Sequence, residues 1–215
     1  MFVLAQQNSI ANHWLADLRN IHTQKNRADF RRNMCRIGEI LAYEISKTFH
    51  YHKKEVQTPL ATAQVQISDE KVVLATILRA GLPFYQGFLN VFESAESAFI
   101  GAYRGEHQED ESFEIQLHYS VAPDLSDKTL ILIDPMLATG KSLSIALKKL
   151  LKNGKPKHIH IAAIIGSKAG VSYLQENILD EFSLWLGDLD NDLNHKSYII
   201  PGLGDAGDLA FGVKL

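Results

Sequence analysis

One stretch, residues Thr129 to Gly154, limits the possible folds of this chain more than any other. It begins with the apolar run Thr129–Ile133, which has the length and the β-branched content of a buried strand. A small-residue turn follows, and from Ser142 onward leucines and alanines recur at helical spacing until Asn153-Gly154 ends the pattern. The stretch therefore predicts a strand, a tight loop and a helix in direct succession.

This order of elements also predicts a binding property. The first N–H groups of a helix have no partner inside the helix, and they lie at the positive end of its dipole. Asp134 stands where the strand should end, directly before the loop. We therefore expect an anion-binding loop, suited to a phosphate group, with a carboxylate at its edge.

The rest of the chain extends this unit into an α/β fold. From Lys71 onward, strand patterns alternate with helical ones, which predicts a mainly parallel twisted sheet with right-handed crossovers, flanked by helices on both faces. We expect residues 1–215 to form one domain, with an N-terminal helical segment, residues 1–50, that packs on the core or on a partner subunit. The predicted strands are 71–78, 97–103, 115–119, 158–165 and 182–186, the predicted helices are 8–19, 29–47, 83–91 and 168–177, and a two-stranded excursion is expected over 55–67.

Two of the predicted strands deliver an arginine at their carboxyl ends. Arg79 follows the first and stands beside Ala80-Gly81, and Arg104 follows the second. Ligands of open α/β sheets bind beyond this edge, and guanidinium groups bind phosphate oxygens through paired hydrogen bonds. One such arginine is compatible with an ordinary surface turn, but two favour a polyanionic ligand. The acidic run 106–114 that follows is expected to be a solvated loop, or an arm that covers the site or reaches a neighbouring subunit.

The composition limits the classes of partner. With 22 Lys and Arg against 25 Asp and Glu, the net charge is -3. The composition therefore lacks the excess of positive charge that is typical of general nucleic-acid or membrane-surface binding. No apolar run approaches the roughly 18 residues that a membrane span requires, and the N-terminus lacks the basic region of a signal peptide. The single cysteine, Cys35, excludes an internal disulfide and is expected to be a small buried side chain. We therefore expect a soluble cytoplasmic protein.

The Gly-Lys-Ser sequence at 140–142 invites comparison with the Walker A loop of nucleotidases. That motif requires a glycine five residues before its Gly-Lys pair, and Pro135 occupies this position. Proline has no N–H group to donate to a phosphate. The loop is therefore a phosphate loop of a different design.

The C-terminal segment Tyr198–Asp208 places three glycines and two aspartates among few other residues. This composition predicts an irregular loop, not a regular element, whose backbone can approach a flat ligand closely.

Five segments together resemble the uracil phosphoribosyltransferase family. The sequence ILIDPMLATG at 131–140 resembles its phosphoribosyl diphosphate (PRPP) loop, and YIIPGLGDAGD at 198–208 resembles its uracil-binding segment. Ile77–Leu82 and Tyr103-Arg104 fall in the expected order and spacing, and Leu41–Glu44 also matches. The resemblance spans nearly the whole chain. It implies a type I phosphoribosyltransferase fold with a β arm and a C-terminal base-binding loop, and the transfer of a phosphoribosyl group from PRPP to uracil, giving UMP and diphosphate.

The resemblance also implies residue roles. Asp134, Arg104 and Asp205 would be catalytic: Asp134 would bind the ribose hydroxyls and stabilise positive charge on the ring, and Asp205 would lie near the Mg²⁺ that PRPP carries, with no direct protein ligand assigned to the metal. Arg79 and Arg104 would meet the diphosphate. Uracil would be read by main-chain groups of Ile199, Gly204, Asp205 and Ala206. PRPP would bind Arg79, Arg104, Asp134, Pro135, Met136, Leu137, Ala138, Thr139, Gly140, Lys141, Ser142 and Asp205.

Three residues depart from the family pattern, since Lys141, Asp192 and Ser197 stand where the family commonly has glycine. Lys141 would add a cation near the phosphate or point outward.

The resemblance further implies a homo-oligomer, a dimer or a tetramer, and suggests GTP as a possible effector. The alternative function is a phosphoribosyltransferase-fold regulator of pyrimidine genes that binds RNA, which would require a concentrated basic surface that the sequence does not show.

Overall fold

The structure is a computed structural model that describes residues 1–104 and 115–213, with side chains described for 1–101 and 119–213. A mainly parallel sheet lies at its centre. Its strands follow the spatial order β1-β10-β9-β7-β4-β5-β6, and β8 pairs with β9. Every neighbouring pair is parallel except β5 and β6. The strands of this sheet are β1 (Phe2–Val3), β4 (Val72–Leu78), β5 (Glu96–Arg104), β6 (Ile115–Val121), β7 (Thr129–Ile133), β8 (Met136–Leu137), β9 (His158–Ser167) and β10 (Ser183–Asp190).

Helices cover both faces of this sheet. One face packs against α1 (Ala11–Arg19), α2 (Arg27–Ser46), α3 (Leu82–Val91) and α6 (Ala206–Phe211), and the other packs against α4 (Lys141–Leu150) and α5 (Lys168–Asn177). The strand β7 shows why its sequence is apolar throughout: Ile131 and Ile133 belong to the core on one face, and Leu130 and Leu132 to the core on the other. The predicted fold class is confirmed.

The N-terminal segment packs on the core of its own chain. Leu15 and Leu18 of α1 and Met34 and Ile37 of α2 are buried in the same cluster as Ile131 of the central strand. Ile10, the N-cap residue of α1, is 60% exposed. Throughout the described ranges, no helix is long and apolar enough to cross a membrane.

Two small ladders lie outside the main sheet. The excursion predicted over 55–67 is an antiparallel hairpin of β2 (His52–Gln57) and β3 (Thr62–Ile67), and it begins three residues earlier than the pattern indicated. The second ladder pairs β11 (Asp192–Leu193) with β12 (Ile199–Ile200).

The prediction of an irregular tail was wrong, because α6 begins at Ala206 inside it. The side chain of Asp205 accepts a hydrogen bond from the N–H of Asp208 at 2.9 Å and so caps this helix. The glycines of this segment disfavour a helix, but the N-cap stabilises it, because the cap satisfies an N–H group that the first turn would otherwise leave unpaired.

Candidate active site

The loop that follows β7 lies where the order of strands reverses. From β4 the sheet continues through β5 on one side and through β7 on the other, and ligands of α/β sheets bind in the crevice beyond such a reversal. Arg79 follows β4, Asp134 follows β7, and Arg104 is the last residue of β5. The structure thus brings the chain positions of both predicted arginines and the predicted acid to one edge of three adjacent strands. The side chain of Arg104 and the acidic run 106–114 lie outside the described residues.

Backbone hydrogen bonds fix the loop after β7 onto β9. The carbonyl oxygen of Pro135 accepts from the N–H groups of Ile164, at 3.0 Å, and of the next residue, at 3.1 Å. Residues 136–137 then form β8, so this part of the loop is a short strand where the sequence predicted a simple turn. The half-buried Asp134 accepts a hydrogen bond at Oδ1 from the N–H of Met136 at 3.3 Å. The carboxylate is therefore held beside the loop.

Helix α5 supports the same loop from outside. The hydroxyl of Ser167 donates to the carbonyl oxygen of Ala138 at 2.6 Å and accepts from the N–H of Gly170 at 2.9 Å, which caps α5. A Cβ atom on Gly170 would stand 2.4 Å from that Ala138 oxygen and 2.9 Å from the carbonyl oxygen of Leu137. Gly170 is therefore a glycine because the loop backbone passes directly over it.

The loop ends at a helix N-terminus that no side chain caps. Gly140 is the N-cap of α4 and has a left-handed φ of 75°. A Cβ atom there would also approach the carbonyl oxygen of Gly170 to 2.8 Å, so both conformation and space select glycine. Lys141 is exposed and Ser142 is half-buried at the start of the helix. The first N–H groups of α4 are thus available to an anion at the positive end of the helix.

The C-terminal segment lies against the turn that follows β4. Nη2 of Arg79 is 3.6 Å from Oδ1 of Asp208 and donates to the carbonyl oxygen of Gly212 at 3.5 Å. A Cβ atom on Gly207 would be 3.6 Å from the Cβ of Ala80. The turn predicted to meet diphosphate and the helix that begins beside Asp205 are therefore neighbours.

The residues predicted to read a base lie on both sides of a short turn. Gly204 is exposed and has a φ of 95°, and a Cβ atom there would meet only the Leu209 side chain, at 3.8 Å. The positive φ requires glycine at this position, and the space beside Gly204 is open. Ile199 is buried in β12, and Asp205 and Ala206 begin α6. Because the side chain of Ile199 belongs to the core, only its main chain is available to a ligand.

Comparison with known proteins decides the family. The family model for uracil phosphoribosyltransferase matches residues 5–213. The chain belongs to the uracil phosphoribosyltransferase family. A uracil phosphoribosyltransferase from Porphyromonas gingivalis is 48% identical over 212 residues, which cover 99% of this chain and 98% of the relative. One from Thermococcus gammatolerans is 38% identical over 204 residues, which cover 94% of this chain and 88% of the relative.

Solved structures agree with the observed fold. The AQ2163 protein from Aquifex aeolicus matches with a TM-score of 0.85 and 32% identity, covering 97% of both chains. A hypoxanthine phosphoribosyltransferase from Staphylococcus aureus matches with a TM-score of 0.50 and 14% identity, covering 76% of both chains. At that identity the second match shows the fold alone. The predicted type I phosphoribosyltransferase-like fold is confirmed.

The structure gives a physical reason why uracil phosphoribosyltransferases commonly have glycine where this chain has Ser197. Ser197 has a φ of 61°, in the left-handed region, in the turn between β11 and β12. Glycine adopts this conformation freely, whereas another residue is strained there by roughly 1–2 kcal/mol. Asp192 is the first residue of β11 and pairs with Ile200, a position with no such conformational demand.

An ionic cluster beside Gly202 was not predicted from the sequence. It joins Arg19 at the end of α1 to Asp188 and Asp190 at the end of β10. Burial opposes the charge of Arg19, but the hydrogen bonds that Arg19 donates to Asp190 and Asp188, with the attraction of their charges, outweigh burial and raise the pKa of the guanidinium. The two acids, spaced two residues apart at a strand end, form a pattern from which a charged cluster could have been predicted. Nothing in the sequence identified their partner.

Proposed function

We propose that this chain transfers the phosphoribosyl group of PRPP to N1 of uracil, giving UMP and diphosphate, as part of pyrimidine salvage. The observation that carries this proposal is the meeting of three family segments at one sheet edge: the loop 134–142, the Arg79 turn and the segment 204–206. The chain's membership of the uracil phosphoribosyltransferase family supports the base. The alternative of an RNA-binding regulator gains no support from the comparisons.

The loop 134–142 would hold the 5-phosphate and the ribose. The uncapped N–H groups at the start of α4, with the hydroxyls of Thr139 and Ser142, suit the phosphate. Lys141, exposed beside them, adds positive charge from the solvent side. Met136, Leu137 and Ala138 would shape the pocket through their backbone, which β9 and α5 hold in place.

Asp134 would act on the reacting ring. Substitution at C1′ of a ribose passes through an oxocarbenium-like state, so negative charge beside the ring lowers the barrier. The carboxylate is fixed by its bond to the Met136 N–H and by its place at the end of a buried strand. In this role a fixed negative charge would lie where positive charge develops on the ring, and the role would require no proton transfer from the protein.

Arg79 and Arg104 would bind the leaving diphosphate. The side chain of Arg79 is 47% exposed, and its contacts with α6 are long, at 3.5 and 3.6 Å. Such contacts are weak, so diphosphate oxygens can replace them with shorter, paired hydrogen bonds. Diphosphate binding by the side chain of Arg104, which lies outside the described residues, stays a prediction.

Mg²⁺ fits this site as an ion that arrives with the substrate. Within the described parts of the chain, no group of three or more His, Cys, Asp or Glu side chains could hold a metal ion. Mg²⁺ commonly binds through one or two carboxylates together with substrate phosphates, and Asp134 and Asp205 are the carboxylates that the proposed site offers. When bound to the diphosphate, the ion would neutralise charge on the leaving group.

The backbone around Gly204 would read the base. The imide edge of uracil presents an acceptor, a donor and an acceptor, and rigid main-chain groups of Ile199, Gly204, Asp205 and Ala206 can match it. Cytosine presents a different edge, so it would leave buried groups unpaired at about 1–3 kcal/mol each. Base selection would therefore depend on the exact path of this segment.

A UMP-formation assay tests the proposal. Uracil, PRPP and Mg²⁺ should yield UMP, while cytosine, hypoxanthine and orotate should not react. Turnover with one of these bases and none with uracil would overturn the substrate assignment. The same assay with and without GTP tests GTP as an effector.

We also infer that the chain forms a homo-oligomer. Leu15 and Leu18 of α1 are buried within the chain, so these two side chains are not available to a partner subunit. The hairpin β2–β3 is a candidate, because all of β2 is exposed and Leu60 at the tip is 97% exposed. A two-stranded hairpin is marginally stable by itself. Light scattering on the purified protein should give the mass of a dimer or tetramer, and a monomer at working concentrations would contradict the inference.

A further inference from the structure

A guanidinium group from the N-terminal segment reaches the base-reading turn. Nη1 of Arg19 donates to Oδ2 of Asp190 at 2.8 Å and to the carbonyl oxygen of Gly202 at 2.9 Å. The N–H of Gly202 donates to the same Asp190 oxygen at 2.8 Å. The three residues therefore close a ring in which both main-chain polar groups of Gly202 are held.

The ring is anchored on a strand and shielded from water. Nη2 of Arg19 donates to Oδ1 of Asp190 at 2.9 Å and to Oδ2 of Asp188 at 2.7 Å. The side chain of Asp190 is 8% exposed and that of Arg19 is 20% exposed. Both carboxylates belong to β10, whose backbone is fixed by its pairing with β9. A planar guanidinium makes four such bonds at once, which an ammonium group does not.

Gly202 lies between Ile199 and Gly204, the residues proposed to read uracil. It has a φ of 57°, and a Cβ atom there would stand 2.2 Å from the carbonyl oxygen of Ile199. The turn is thus tightly folded on Ile199. A shift of the Gly202 main chain would move the proposed reading groups on both sides of it.

Two neighbouring side chains hold the same C-terminal segment. In the amide orientation that satisfies its hydrogen bonds, Gln24 donates to the carbonyl oxygen of Leu203 at 2.9 Å. Nη1 of Arg31 donates to the carbonyl oxygen of Ala210 at 2.7 Å. Side chains from residues 19–31 therefore bind the backbone of the C-terminal segment at three points.

We propose that Arg19 is a positioning residue for base recognition, which fixes the path of residues 199–206 through Asp190 and Gly202. Its guanidinium acts on the turn and not on the substrate. Asp205, which the proposed function also places near the Mg²⁺ of PRPP, is held separately as the N-cap of α6, so the effect of Arg19 should fall on uracil and not on PRPP. This inference rests on the proposed function, since it assumes that residues 199–206 read the base.

Arg19→Lys tests the proposal, because it keeps the charge and removes the planar fork. The KM for uracil should rise about tenfold, the effect of losing one charge-assisted hydrogen bond, while the KM for PRPP stays unchanged. Asp188→Asn, at the more exposed end of the cluster, should raise the KM for uracil less. Arg32→Lys is the matched control: Arg32 is a surface arginine of α2 that pairs with Asp29, and its replacement should leave both KM values as in the parent.

Hydrogen–deuterium exchange supplies a readout that does not depend on turnover. Exchange over 199–206 should become faster in Arg19→Lys, while exchange over 134–140 should not change. Equal rises in the two KM values, or a lower melting temperature with unchanged uracil KM and unchanged exchange, would overturn the proposal. If the parent protein forms no UMP, the proposed function fails, and the exchange experiment still decides whether Arg19 positions the turn.

Discussion

A single methyl group at Gly170 should disable the proposed phosphate loop although no residue proposed to bind substrate is replaced. In Gly170→Ala, the new Cβ would stand 2.4 Å from the carbonyl oxygen of Ala138 and 2.9 Å from that of Leu137, whereas ordinary contacts lie at 3.4–4 Å. Both atoms are backbone, so no side chain can rotate away. The loop must therefore retreat by about 1 Å, the difference between the clash and an ordinary contact.

A displacement of about 1 Å in a positioning group can cost on the order of a hundredfold in rate. We therefore expect kcat/KM for PRPP to fall about hundredfold in Gly170→Ala, with a much smaller change in the KM for uracil. Alanine favours a helix over glycine by about 1 kcal/mol, which offsets part of the strain on folding. Initial-rate kinetics with each substrate varied in turn, together with the melting temperature, separate the two effects.

Ser172→Ala provides the control, because Ser172 lies on the same helix with an exposed side chain. It should have the kinetics of the parent protein. A folded Gly170→Ala variant with unchanged kcat/KM for PRPP would refute the reasoning, since it would show that the loop which α5 supports is not the one that binds PRPP.

Three further predictions concern titratable groups. Asp134→Asn should lower turnover about hundredfold with an unchanged circular dichroism spectrum, because it removes the charge beside the ring, and activity equal to the parent would refute that role. Burial and the nearby His158 lower the pKa of His160 to about 4, and its Nδ1 accepts from the Trp185 indole at 3.0 Å. Since the unfolded state takes up this proton from about pH 6.5 downward, stability should fall by about 3 kcal/mol between pH 6.5 and 4. Urea unfolding should show that loss, and it should be absent from His160→Asn. Burial and then Glu39 raise the pKa of the Cys35 thiol to about 11, so iodoacetamide should label it about a hundredfold more slowly than it labels free cysteine, and fast labelling of the folded protein would contradict this.

Local patterns predicted most elements, because a strand or helix is specified by neighbours in sequence. The helix 168–177 has the predicted bounds, and β7 matches the run Thr129–Ile133. Four strands of two residues, β1, β8, β11 and β12, were not predicted, since two residues carry no periodicity and these strands exist only by pairing with other strands.

The sequence by itself determined the family, and it predicted the proposed phosphate loop and the two arginine turns, because each depends on a short run of residues whose chemistry is read in order. Only the tertiary structure showed that Gly170 supports the loop and that Arg19 holds Gly202. Arg19 and Gly202 are 183 positions apart in the chain. Such contacts exist only after the sheet has brought the ends of α1 and β10 together, so no local pattern can specify them. The residues of the proposed site were therefore predictable from the sequence, and their precise geometry was decided by the fold.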